Sequence, residues 1–453
     1  MFASAHKGRC FFVIKEKTLE GRNKGRLSRS RLASIAVTEQ VMKTRSSFVV
    51  IALSLVLGVN FQSALGQGYG TDTQNVMTPA AGGMAGVSIA LPQDVPAAVF
   101  GNPATLSQFQ GTQFTVGGGW VEGYPTITNN GSLNQLNPGQ PFSATSRTQG
   151  FAATEIGVAQ DLRSLGLSGT LGLGVAGLSG LGAEYRGRVP ENTSLNNTSS
   201  EYMVLGVNLG AGFDLTERLA AGATITLGTG FEQLGFVGPL VSSAMVHDYA
   251  LRGTFGLDYV LNEYNTIGAF YQTRMDFDFP NAVRFLGNYN DIRIAQPETI
   301  GFGLANNSLL GGDLLIAADV YYKLWENVPL YQDIFVNQWA FAVGAQLTRG
   351  KLKYRLGYSY NGNPLNHNVG NSLDGFPLAQ AEVQLFQASS MATINQHRIT
   401  GGIGRQGFLV PSLDLDLFAG GLLKASDQFG DTGASVAAYY LGLGLTWRYG
   451  CGH

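Results

Sequence analysis

Cysteine is nearly absent from this chain: Cys10 lies close to the start and Cys451 two residues from the end. An internal disulfide framework is excluded, so stability has to come from packing and backbone pairing. Charged residues are scarce too, at 13%. No uncharged apolar run reaches the 18 or so residues that a membrane-crossing helix needs, which argues against a helical membrane protein. Histidine is rare, with five in the chain, and neither a His/Cys cluster at metal-ligand spacing nor a Gly-x-Ser-x-Gly elbow occurs. What the chain does have is 62 glycines and 11% aromatic residues, a mix expected of many short strands with tight turns and aromatic girdles. An apolar content of 44% excludes a disordered chain.

Met42-Lys43-Thr44-Arg45, the apolar run Phe48 to Val59 and then Ala64-Leu65-Gly66 supply the basic, hydrophobic and small-residue parts of a secretory signal in that order. Residues 42–66 are therefore read as a signal peptide, with cleavage before Gln67. Residues 1–41 hold nine Lys or Arg and no clear periodicity. A mis-assigned start, with Met42 the true one, is preferred over an unusually long basic leader. Without residues 1–66, 18 Lys plus Arg face 28 Asp plus Glu, a balance of −10. That acidity argues against a nucleic-acid partner.

Gly82 to Leu106, GGMAGVSIALPQDVPAAVFGNPATL, fits neither a clean helix nor a clean strand, because Gly and Pro interrupt its apolar pieces. Two readings fit: an ordinary Pro/Gly loop leading into a β domain, or a compact apolar plug that something else must bury. The remainder of the chain reads as short strands, and a closed barrel is a natural container that also leaves no unpaired sheet edge. Residues 67–111 are taken as an N-terminal hatch, 112–449 as the barrel and 450–453 as a tail.

Fourteen segments alternate with the period of two expected of strands: about 112–121, 148–161, 168–178, 201–214, 218–229, 247–260, 264–276, 297–306, 312–325, 337–348, 351–361, 395–406, 412–424 and 435–449. In the last, Tyr439, Leu441, Leu443, Leu445, Trp447 and Tyr449 are large and apolar, and Gly442, Gly444, Thr446 and Arg448 fill the places between. Aromatics at both ends of such a face suit membrane interfaces. In Lys351 to Asn361, Leu352, Tyr354, Leu356, Tyr358 and Tyr360 oppose Lys351, Lys353, Arg355 and Ser359. Short turns at 162–167, 215–217, 261–263, 349–350 and 407–411 alternate with long links. The fold expected is an all-β transmembrane antiparallel barrel, with short periplasmic turns and long outer loops. The loops 122–147, 179–200 and 362–395 are rich in Asn, Ser, Gly and Pro and read as solvated caps.

Asn102-Pro103-Ala104, Gly180-Leu181-Gly182-Ala183-Glu184-Tyr185, Gln296-Pro297-Glu298-Thr299 with Trp325 beyond it, Lys353-Tyr354-Arg355-Leu356-Gly357-Tyr358 followed by Asn363-Pro364, and Gln396-His397-Arg398 occur in this order behind the signal. In that order the chain resembles the outer-membrane long-chain fatty acid and aromatic hydrocarbon transporters of the FadL type. The resemblance implies a hatch containing Asn102, Pro103 and Ala104, and an inward kink in the third strand. It also implies passive uptake of hydrophobic small molecules without a cofactor. The chain departs from that pattern after Tyr449, where Gly450-Cys451-Gly452-His453 replaces an aromatic end. The expected setting is the cell outer membrane, among its lipids, with a monomer placed there by barrel-insertion machinery.

Three site readings follow. Along the third strand, Gly169, Gly172, Gly174, Gly177, Gly180 and Gly182 either let plug side chains pack close or mark a bulge where the wall opens, with Gly177, Gly180 and Gly182 the candidates for a lateral opening. Lys351, Lys353, Arg355, Asp414, Asp416 and Arg448 form a lumen charge cluster that either anchors the hatch, whose acids include Asp72 and Asp94, or lines a solvated wall. No catalytic or metal site is expected: His247, near Ser242 and Ser243, reads as a surface or girdle residue. Two competing functions stay open, a porin for polar solutes and, less favoured, an outer-membrane lipid hydrolase.

Overall fold

A computed structural model describes residues 75–450, apart from 131–140, 149, 190–198, 234–240 and 286. The leader, the proposed signal peptide, Asp72 and the last three residues lie outside the described residues. Fourteen antiparallel strands close into a barrel: β1 Thr112–Gly123, β2 Phe151–Asp161, β3 Gly169–Glu184, β4 Ser199–Asp214, β5 Leu219–Gln233, β6 Val246–Val260, β7 Asn265–Gln272, β8 Thr299–Leu309, β9 Leu314–Lys323, β10 Gln338–Arg349, β11 Leu352–Asn361, β12 His397–Arg405, β13 Leu413–Phe429 and β14 Thr432–Tyr449. Each pairs with the next, and β1 closes the ring on β14 from Thr112↔Tyr449 to Gly123↔Ala438. All fourteen expected strands are present, and ring closure pairs every strand with a neighbour on both sides over at least part of its length.

The alternation expected of the strands is met in burial. On β11, Tyr354, Leu356, Tyr358 and Tyr360 are exposed on the outer face while Arg355 and Ser359 are buried on the inner one. Leu171, Leu173 and Val175 on β3 and Leu205, Val207 and Leu209 on β4 continue the apolar exterior. Aromatic pairs mark both rims: Phe114 with Trp447 near the short turns, and Tyr124 with Tyr439 and Tyr322 with Trp339 near the long links. Such a band with aromatic borders is a lipid-facing surface, and the protein is a transmembrane β-barrel. Among the described residues no helix is long and apolar enough to cross a membrane.

The outer links differ from expectation in two ways. Strands β13 and β14 run farther than their alternation indicated and meet at a tight turn, Gly430-Asp431, with Gly430 at φ 54°, so this link is short. The segment 362–395 is an apolar lid and not a solvated cap. Its helix Gln380–Ser390 buries Val383, Leu385 and Phe386 in one cluster with Trp325, Tyr331, Phe335 and Leu365. The hairpin of Met275–Phe285 and Asn288–Gln296 also joins that cluster, placing Met275, Phe277 and Phe279 against Gly228 and Gly230 on the inner face of β5. Overall polarity hid these contacts, because the apolar residues of the lid are spread through polar sequence.

Candidate functional site

Inside the barrel, Asn75 to Gly111 forms a 3-10 turn (Ala81–Met84), a short helix α1 (Val95–Phe100) and a second 3-10 turn (Pro103–Gln108). Almost all of it is buried. Asp94 shapes it from within: Oδ1 accepts Ala97 N at 2.9 Å and caps α1, and Oδ2 accepts Ala80 N at 2.6 Å and Ala81 N at 3.2 Å. Burial pushes its carboxyl up from the ordinary aspartate range, which the three N–H donors only partly offset.

The segment meets inward positions around the whole ring, most often at a glycine. Asn102 explains the Asn-Pro-Ala motif. Its Oδ1 accepts Ala104 N, and its Nδ2 donates to Ile89 O at 2.8 Å and to Leu257 O of β6 at 2.9 Å. Beneath the motif lie Gly212, Gly222 and Gly256 on three adjacent strands, where an added Cβ would overlap Pro103, Ala104 or Asn102. A side chain at any of the three would push the motif off the wall.

Polar side chains of the wall hold the rest. Asp319 Oδ2 on β9 accepts Ser88 N at 2.7 Å and Ile89 N at 3.1 Å, and Thr400 Oγ1 on β12 accepts Ala85 N at 2.9 Å. Asn208 on β4 donates to Val99 O at 3.1 Å, and Gln108 donates to Asp258 Oδ2 at 3.0 Å. Sequence reasoning missed these anchors. Their only signal was a polar residue at an inward position of a strand.

The expected charge cluster is brought together, but it pairs chiefly with itself. Arg355 reaches over Gly404 to Asp416 at 2.6 Å, with only 1% of the arginine side chain exposed, and Arg448 pairs with Asp414 at 2.5 Å. Lys353 lies beside them, whereas Lys351 is exposed at the Gly407 turn. The hatch rests on this cluster by packing, Gly83 against the Arg355 stem, and Asp94 spends its hydrogen bonds inside the hatch. His247 sits on the outer face between the rings of Phe231 and Tyr249.

The wall itself has one discontinuity beside α1. Strands β2 and β3 pair from Asp161↔Thr170 to Glu155↔Ala176 and then part. Past that point β2 stays with β1 as far as Phe151, and β3 stays with β4 as far as Glu184↔Ser199. The parting coincides with a register shift between Gly177 and Ser179 that leaves Leu178 as an extra residue, a β-bulge. Below it, Gly172 packs on Leu106 and Val99, and Gly174 on Phe100 and Val99. At Gly177 an added Cβ would meet nothing within 4 Å. Gly180 and Gly182 lie beyond the bulge, opposite Met203 and Glu201. The gap closes again where Arg147 N donates to Glu184 O at 2.8 Å.

The barrel fold has counterparts among solved structures. The fold is that of the FadL type. The chain is similar to the P. putida toluene transporter TodX, with 17% identity over 84% of this chain and 99% of that one, and a TM-score of 0.61. A Pseudomonas aeruginosa FadL homologue is similar at 13% identity over 83% and 98%, TM-score 0.61. The Ralstonia pickettii toluene transporter TbuX is similar at 16% identity over 85% and 99%, TM-score 0.56. No family model and no curated protein matches the sequence.

Proposed function

We propose that the protein carries hydrophobic small molecules across the outer membrane passively, taking them up at the apolar lid and releasing them sideways through the β2/β3 gap. The observation that carries this reading is Leu178. The bulged residue packs at once against the apolar cluster of the lid and against the cluster formed by α1, Leu106 and Phe109, so one apolar surface runs from the outer end to the gap. A sideways exit suits such cargo, since releasing it into water costs about 0.8 kcal/mol per methylene. The solved proteins of the same fold that are named as toluene transporters or as a FadL homologue point to the same class of molecule. No ATP and no covalent step enters. A hatch bonded to the wall along its length speaks against a steady aqueous pore, and a large open-channel current in planar bilayers would favour the porin instead.

Uptake of labelled toluene and of a labelled long-chain fatty acid, by a deletion strain with and without this chain, tests the cargo. Equal uptake of every apolar compound in both would end the reading. Gly177→Val with Gly180→Val tests the exit: β-branched residues favour a regular strand, so the double variant should keep a heat-resistant barrel on gels and lose most uptake.

A further inference from the structure

The gap carries two polar atoms that a plain hydrocarbon leaves unused. Glu155 is 5% exposed, and its Oε2 has no hydrogen-bond partner. Ser179 Oγ, just past the bulge, is buried and equally unpartnered. Both residues face inward. Glu155 pairs with Ala176, the last rung before the gap, and Ser179 pairs with the fully buried Val204. Ala176 lies opposite Gly206 and Ser179 opposite Val204, so both are inward positions of β3, with Leu178 packed over Gly206 between them. Glu155 and Ser179 therefore line the inner side of the same seam, one at its last rung and the other just past the bulge. Buried polar groups are as a rule hydrogen-bonded, and an unmet acceptor and an unmet hydroxyl along one path fit a group that both donates and accepts.

Charge narrows the choice. The ionisable group whose field reaches Glu155 is another acid, Asp94, and among the described residues no salt bridge includes Glu155. A carboxylate would meet two acids and no cation there. We propose that Glu155 and Ser179 form a hydroxyl-recognition site on the exit path, so that uncharged apolar molecules bearing one hydroxyl, phenols and aliphatic alcohols, are preferred over the matching carboxylates. This rests on the lateral-exit reading.

The test is uptake of labelled toluene, 4-methylphenol and 4-methylbenzoate by the same deletion strain expressing the full chain. Glu155→Leu and Ser179→Ala should each lower 4-methylphenol uptake roughly five- to tenfold, the worth of one hydrogen bond, and leave toluene within about twofold. Glu155→Gln, whose amide oxygen still accepts, should retain most of the 4-methylphenol uptake. Heat-resistant migration on gels confirms that each variant is folded. The double glycine variant separates the two ideas, because losing the exit lowers toluene and 4-methylphenol together. Toluene uptake surviving in that variant would sink the exit reading. A 4-methylphenol-to-toluene ratio unmoved by both Glu155→Leu and Ser179→Ala would sink the hydroxyl site.

Discussion

The two halves of β3 are built from the same residues and do opposite things. From Gly169 to Ala176 the strand is laddered on both sides, and its inward glycines are filled by Leu106, Val99 and Phe100 of the hatch. From Gly177 to Glu184 it is laddered on one side only, bulged, and open at Gly177. Glycine content does not separate the halves. The neighbour does: in the lower half a missing Cβ makes room for another chain segment, and in the upper half it allows the register to slip. Close packing of hatch side chains at Gly172 and Gly174 and the bulge after Gly177 therefore lie on this one strand, at different heights.

Adding bulk is the strongest way to break that comparison. A Cβ at Gly174 would fall 2.7 Å from the Phe100 ring and 2.9 Å from Val99, and one at Gly222 would strike the Pro103 backbone, which cannot rotate away. Overpacking of this kind costs about 1–3 kcal/mol, with the upper end expected at Gly222. In a Cys451→Ser background carrying Ala98→Cys, a buried hatch position, Gly222→Val should give rapid labelling by a membrane-impermeant thiol reagent, Gly174→Val less, and Gly177→Val none. Equal protection in all three would mean that the hatch does not depend on its glycine seats.

The next effect is smaller because it removes bonds and adds no bulk. Asn102→Ala takes away the cap on Ala104 and two donations, to Ile89 O and Leu257 O. A cost of about 2 kcal/mol should raise labelling at Ala98→Cys about thirtyfold if reclosing outpaces the reagent. Asp319→Asn keeps the shape and one acceptor for Ser88 N and Ile89 N, so a smaller cost of about 1 kcal/mol and a fivefold rise are expected. An Asp319→Asn effect larger than that of Asn102→Ala would move the main anchor from the Asn-Pro-Ala motif to β9.

How much of this was legible follows from the kind of signal each part leaves. Strands with one face in lipid repeat every two residues, and Tyr439 to Tyr449 or Leu352 to Tyr360 can be read directly. Asn102-Pro103-Ala104 was singled out by its resemblance to the FadL-type hatch, and its physical basis is Pro at the start of a turn that Asn caps. The receptors of that motif were not, since Gly212, Gly222 and Gly256 differ from other glycines only in what lies against them. Asp319, Asn208 and Thr400 lie on separate strands and form no pattern along the chain. The opposite error befell Asp94: an acid in the hatch suggested a bond to the basic cluster, whereas the turn it sits in supplies three N–H donors closer by. The lid was read as solvent-facing because Val383, Leu385 and Phe386 are scattered among polar residues of a link whose partners come from other links.

The finest test of the comparison is a single methyl group. At Gly177 no atom lies within 4 Å of an added Cβ, and the residue is not among the glycines with positive φ, so alanine fits the native backbone. Its effect then falls mainly on the unfolded chain, which loses freedom, and Gly177→Ala should leave the barrel unchanged or stabilise it by about 0.4–1 kcal/mol. Uptake should persist, because a methyl group neither restores the β2 ladder nor fills the gap. Gly172→Ala, five residues earlier on the same strand, brings its Cβ to 2.8 Å from Leu106 and should lower stability despite the same gain in the unfolded state. Urea-unfolding midpoints of the two variants in detergent measure the difference. Matching losses at Gly172 and Gly177 would show that the outer face at Gly177 is covered and that the two positions do not differ in packing.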